Sequence, residues 1–169
     1  MDIYLIRHGT AHPLGLNNDF NDEKRTLTPE GRERVRDGAK GLRRLGVKLD
    51  MIFTSPLPRA EETAQIVGLV LGVDEKFILR TNALAPGGSF DELISEIKQQ
   101  RSLESVALVG HEPFLGLLAS RISCGESGRA IPLRRGGACR IDVGETIPSF
   151  RGRLAWLLTP KQMRLIGKV

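Results

Sequence analysis

Aromatic residues make up only 5% of the chain, and cysteine occurs just twice in 169 residues. So few aromatic side chains leave little from which to build the stacking platforms that hold single-stranded nucleic acid. Cys124 and Cys139 have neither CxxC spacing nor neighbouring histidines, which argues against a structural zinc site. They read as reduced thiols, with a disulfide as the alternative. No apolar run approaches the roughly 20 residues that cross a bilayer. The strongest, "LVGHEPFLGLLA", is broken by charge and by Pro113. The N-terminus shows no basic stretch followed by an apolar core and a small-residue cleavage site, so we expect a cytoplasmic protein with no membrane partner. There is also no HExxH, no DxD pair beside a histidine and no phosphate loop of the GxxxxGKS type, hence no expected metal or cofactor.

Charge of one sign is in modest excess. Lysine and arginine outnumber aspartate and glutamate by 25 to 20, a net charge of +5. Much of the excess lies in "GRERVRDGAKGLRRLG", where Val35, Ala39, Leu42 and Leu45 recur at helical spacing among the cations. That pattern describes the solvated side of an amphipathic helix and gives no reason to expect nucleic acid. A small phosphorylated partner stays open.

The order of elements is legible from apolar periodicity and turn residues. "DIYLIR", "LDMIFTS", "KFILR" and "SVALVG" read as short buried strands separated by helices; residues 11–28 read as a polar loop. Thr28 and Pro29 mark the start of one helix, which runs to about Leu45 and stops at Gly46; a second helix ends at Gly72, and a third is capped by Ser89. "ACRIDVG" and "RLAWLLT", after a glycine-rich stretch at 125–137, read as antiparallel neighbours, and "PKQMRLIGK" as a final helix. Strands alternating with helices predict one α/β domain over 1–169: a three-layer sandwich with a mainly parallel central sheet.

In such sheets, ligands collect beyond the carboxyl ends of the strands. The first strand ends in Arg7-His8-Gly9, and the second in Ser55-Pro56 with Arg59 close behind. The next long strand ends in Gly110-His111-Glu112-Pro113. Two of the three histidines and two arginines are thus expected on one edge. Guanidinium groups bind phosphoryl oxygens through two donors and stay charged, while a neutral imidazole can act as a nucleophile. The combination suits metal-free phosphoryl transfer through a phosphohistidine.

These segments resemble a known family. "RHG" after the first strand, "SPLPRAEET" after the second and "VGHEP" after the third match, in order and spacing, the histidine phosphatase (phosphoglycerate mutase-like) superfamily. "KRTLTPEG" is similar to the segment opening the first helix of its short SixA-type phosphohistidine phosphatase branch. The resemblance implies that His8 is the nucleophile and that Arg7, Arg59 and His111 hold the phosphoryl oxygens. Arg25 resembles a further arginine of the short branch. Gly9 would let the backbone approach the phosphate, and Thr10 would either bond the same oxygens or serve as a plain turn residue. Thr63 would bond its own helix backbone.

Larger members of the superfamily carry a glutamate general acid in an insertion; here that region reads "NALAPGGSFDEL", with Asp91 and Glu92 the only acids nearby. Both fall in a first helical turn, where acids are favoured by the dipole, as is Glu112. A missing general acid and a short chain favour an open pocket and a phosphorylated protein, such as a histidine phosphotransfer domain, as substrate. A small phosphorylated metabolite, with Asp91, Glu92 or Glu112 as proton donor, is the alternative, and a binding module using the basic helix is a rival of another class. His12 matches no motif and reads as an exposed loop residue.

Overall fold

The computed structural model describes residues 1–15, 20–100, 103–125, 129–144 and 150–168. Asn17, Asn18 and residues 126–128 of the glycine-rich stretch lie outside them. Six strands, β1 (Asp2–Arg7), β2 (Met51–Thr54), β3 (Ile78–Arg80), β4 (Ser105–Gly110), β5 (Ala138–Val143) and β6 (Gly152–Leu158), alternate with five helices. The helices are α1 (Pro29–Arg44), α2 (Pro58–Leu71), α3 (Phe90–Gln99), α4 (Phe114–Cys124) and α5 (Pro160–Lys168).

The strands form one sheet in the order β3-β2-β4-β1-β5-β6. β1 to β4 run parallel to one another. β5 is antiparallel to β1, and β6 is antiparallel to β5, so β6 points the same way as the first four. Alternate side chains of a strand face opposite sides, and both sides are covered. Ile3, Leu5, Phe53, Val106 and Leu108 join a core with α3 and α4, while Tyr4, Ile6, Ile52, Ala107 and Val109 join another with α1, α2 and α5. This is why the central strands read as unbroken apolar runs: they are buried on both faces.

Helix boundaries follow local chemistry. Thr28 Oγ1 accepts from the backbone N–H of Gly31 at 2.9 Å, and Pro29 opens α1 where its missing N–H costs nothing. Gly46 and Gly72 take φ of 77° and 76° just beyond α1 and α2, a region costly for side-chain-bearing residues. Ser89 Oγ caps α3 through the N–H of Glu92. The strand read at 76–80 is shorter than its apolar pattern suggested. A 3-10 turn at Glu75–Phe77, capped by Asp74, takes its first residues.

The segment between β1 and α1 has order beyond that of a plain loop. It doubles back on itself, with a bridge between Ala11 and Leu27 and backbone bonds from His12 to Thr26 and from Thr28 to Thr10. At its far end lies a 3-10 turn, Asp22–Lys24, capped by Asn21. Among the described residues, no helix is long and apolar enough to cross a membrane.

Candidate active site

β1 and β4 are neighbours in the middle of the sheet, and Arg7 pairs with Gly110. The residues that follow therefore emerge side by side. His8 and His111 stand with ring centroids 5.0 Å apart, inclined at 53°. The backbone N–H of His8 bonds the Gly110 carbonyl, locking the two strand ends together. β2 flanks β4 on its other side and delivers Ser55, whose Oγ lies 2.8 Å from His111 Nε2. The first turn of α2 supplies Arg59. His8, His111, Arg59 and Ser55 are all buried.

Burial and hydrogen bonding set the state of His8. Its Nδ1 lies 2.7 Å from the carbonyl oxygen of Gly9, an acceptor only, so Nδ1 carries the hydrogen and Nε2 keeps a lone pair. Desolvation lowers the ring pKa to about 3, helped by His111, Arg59 and Arg7 and opposed by the Gly9 bond. His111 is lowered to about 4, chiefly by burial and then by Arg59. Both rings are neutral near pH 7. Ser55 Oγ accepts from the N–H of Leu57 at 3.3 Å and also lies within hydrogen-bond distance of His111 Nε2. The other ring nitrogen of His111, Nδ1, is buried and has no hydrogen-bond partner among the described residues.

The arginines are held from behind. Arg7 Nη1 donates to the Leu133 carbonyl at 2.8 Å, while its buried Nε has no partner among the described residues. Glu112 accepts from the N–H of Leu133 at 2.6 Å and of Gly116 at 3.2 Å, so both its oxygens bind backbone and tie the loop before β5 to the start of α4. Arg59 donates through Nη1 to the Asp22 carbonyl and through Nη2 to its carboxylate, at 2.7 and 2.9 Å. Arg25 bonds the other carboxylate oxygen of Asp22 at 2.7 Å and the His12 carbonyl through Nε. Asp22 is thus a shared counterion that draws Arg25 and Arg59 together. These bonds, that of Arg25 foremost, hold its carboxyl below the usual range.

Asp22 is the residue that motif reasoning passed over. Its signal was present as "DEKR", an acid three residues before Arg25, but the partner in α2 is 37 positions away and invisible to local pattern. Thr63 was read as bonding its own helix. It does so, donating to the Arg59 carbonyl at 2.7 Å, and it also accepts from the N–H of Gly9 at 3.1 Å. One hydroxyl therefore joins the loop after β1 to α2. At Gly9 a Cβ would lie 2.5 Å from Val35 Cγ2 and 3.2 Å from Leu27 Cδ2, so a side chain there would have to displace Val35 under α1. Thr10 contributes its carbonyl to the N–H of Thr28, at the start of α1.

Asp91 and Glu92 stand apart. Asp91 is 86% exposed and faces Arg121 of α4 at 3.6 Å; Glu92 is exposed on the same outer turn. The basic face of α1 is partly neutralised, with Arg32 paired to Glu62, Arg34 to Glu30 and Lys40 to Asp37. Among the described residues, no three histidine, cysteine or acidic side chains converge as metal ligands would. Both cysteines are free, and burial pushes the Cys139 thiol up to about 12.

Comparison with known proteins gives a consistent picture. The model of the histidine phosphatase superfamily (branch 1) matches residues 3–80. An uncharacterised protein of Picosynechococcus is 33% identical over 148 residues, covering 85% of this chain and 86% of its own. The phosphohistidine phosphatase SixA of Escherichia coli K12 is 26% identical over 168 residues, 98% of each chain. A solved structure of the protein histidine phosphatase SixA complexed with tungstate superposes with a TM-score of 0.81 at 24% identity, over 95% of this chain and 98% of that one. This last likeness establishes the fold.

Proposed function

The chain belongs to the histidine phosphatase superfamily, and on that premise we propose that it is a phosphohistidine phosphatase acting without metal on a phosphorylated signalling protein of the cytoplasm. One observation carries the reading. A neutral histidine with its Nε2 lone pair free stands beside two buried polar atoms, Arg7 Nε and His111 Nδ1, that lack partners among the described residues. Buried polar groups are otherwise almost always paired, and a phosphoryl group would satisfy Arg7 Nε directly and His111 Nδ1 in the tautomer that carries its hydrogen.

In the proposed reaction, His8 Nε2 attacks phosphorus, forming one N–P bond as the substrate's N–P bond breaks. The departing imidazole keeps the bonding pair and takes a proton from solvent. Arg7, Arg59, Arg25 and His111 hold the oxygens as charge spreads over them, and Gly9 and Thr10 shape the wall beside them. Water then attacks phospho-His8, releasing inorganic phosphate and restoring the neutral ring. Imidazole leaves without strong acid assistance, which suits a site where both Glu112 oxygens are committed to backbone and Asp91 and Glu92 lie outside. A sugar or nucleotide phosphomonoester would need a proton donor for its alkoxide.

Trapping the phosphoenzyme tests this. Rapid quench with a histidine phosphotransfer protein carrying labelled phosphate should put acid-labile label on His8. His8→Ala should lose about a thousandfold or more in kcat, and chelators should leave the rate unchanged. Label on another residue, an active His8→Ala protein, or faster turnover of sugar phosphates than of phosphohistidine would overturn the reading.

A further inference from the structure

Beside the nucleophile loop lies a cavity of about 40 Å³ whose wall includes Gly9, Thr10 and Gly136 together with Arg34, Arg135 and Arg164. The three cations come from three separate elements: α1, the loop before β5, and α5. Their convergence follows from the packing of α5 on α1 and from the N–H of Gly136, which bonds the carbonyls of both Arg7 and His8. That bond fixes Arg135 next to the catalytic strand end. Arg135 is close enough for its charge to act on the Arg7 guanidinium.

Arg34 has Glu30 as an ion-pair partner. Arg135 and Arg164 have no ion pair or side-chain hydrogen bond among the described residues. Two arginines without an ion-pair partner among the described residues, both lining one small hollow, suit an anion, because the guanidinium fork matches a carboxylate or phosphate. The volume admits about three water-sized groups, the size of a carboxylate head.

We propose that this cavity is a second anion subsite, one that receives an acidic side chain lying beside the phosphohistidine on the substrate protein. The proposal rests on the phosphohistidine reading above and adds to it a rule of substrate choice. A phosphohistidine with a glutamate or aspartate within reach is preferred over one with neutral neighbours. Nothing in the chemistry at His8 requires this pocket, so it acts on binding and leaves the phosphoryl-transfer step alone.

The test uses two phosphohistidine peptides that differ only in carrying glutamates or glutamines on both sides of the modified residue. The wild-type protein should favour the glutamate peptide about tenfold in kcat/KM, almost wholly through KM, as expected for partly desolvated charge pairs at an interface. That preference should shrink as salt is raised to about 0.5 M. Arg135→Ala with Arg164→Ala should bring the two peptides level while leaving the rate on the glutamine peptide within twofold. Arg43→Ala with Arg44→Ala, at the opposite end of α1, should keep the preference. Equal rates on the two peptides in the wild type overturn the subsite, and so does a preference that survives the double substitution. Loss of activity on the glutamine peptide as well would place the arginines in the reaction and overturn the subsite in another way. A wild-type protein that hydrolyses neither peptide overturns the phosphohistidine reading itself.

Discussion

His8 and His111 are held neutral by burial, and this has a cost that appears at acid pH. Folding lowers their ring pKa values from 6.5 to about 3 and about 4. Between those limits the unfolded chain binds protons that the native chain refuses, so stability is full above about pH 6.5 and falls as pH drops toward 4. Each unit of depression corresponds to about 1.4 kcal/mol. Urea midpoints measured from pH 7.5 to 5 should fall with a slope approaching two protons, and His111→Asn should reduce it toward one. A midpoint that does not move over that range rules out buried neutral rings. At this scale the motif residues themselves were legible: RHG, SPLPR and GHEP each put a histidine or an arginine at or just beyond a strand end. Asp22 was not, because its importance comes from joining two arginines that are distant in sequence.

Among the elements, α1 shows how a helix can be read correctly along its length and incompletely across its face. Thr28, Pro29 and Gly46 mark its ends plainly. Its contact with α5 depends on Gly38 and Gly41, which look like helix-weakening residues in the sequence. A Cβ on Gly41 would collide with the backbone carbonyl of Met163. Gly41→Ala, which in an exposed helix would gain up to about 1 kcal/mol, should instead cost about 2–3 kcal/mol through overpacking against backbone. A urea titration gives the sign directly; a stabilised variant would show that α5 can shift without penalty. The same residue type thus has opposite meanings at Gly46, where the backbone turns left-handed, and at Gly41, where two helices touch.

For the whole molecule, we propose that the chain folds as one unit. β1 lies at the centre of the sheet, bonded to β4 on one side and β5 on the other, and α5 returns from the far end to pack on α1. Trp156, the sole tryptophan, sits on the outermost strand β6 and packs against Tyr4 of β1, so it reports on the C-terminal half. Its fluorescence and the far-ultraviolet circular dichroism should trace one coincident unfolding curve. An earlier fluorescence transition would mean that β5 and β6 open separately. The sequence alone determined the layered α/β order, most helix boundaries and the four residues at the sheet edge, because these depend on local periodicity, caps and short motifs. Only the tertiary structure decided the rest: which tautomer His8 holds, which counterion joins Arg25 to Arg59, and which side chains a Cβ at Gly9 would meet. It also showed that Glu112 is spent on backbone and that three arginines share one hollow. Each of these depends on groups that are far apart along the chain and meet only when the sheet brings its strand ends together.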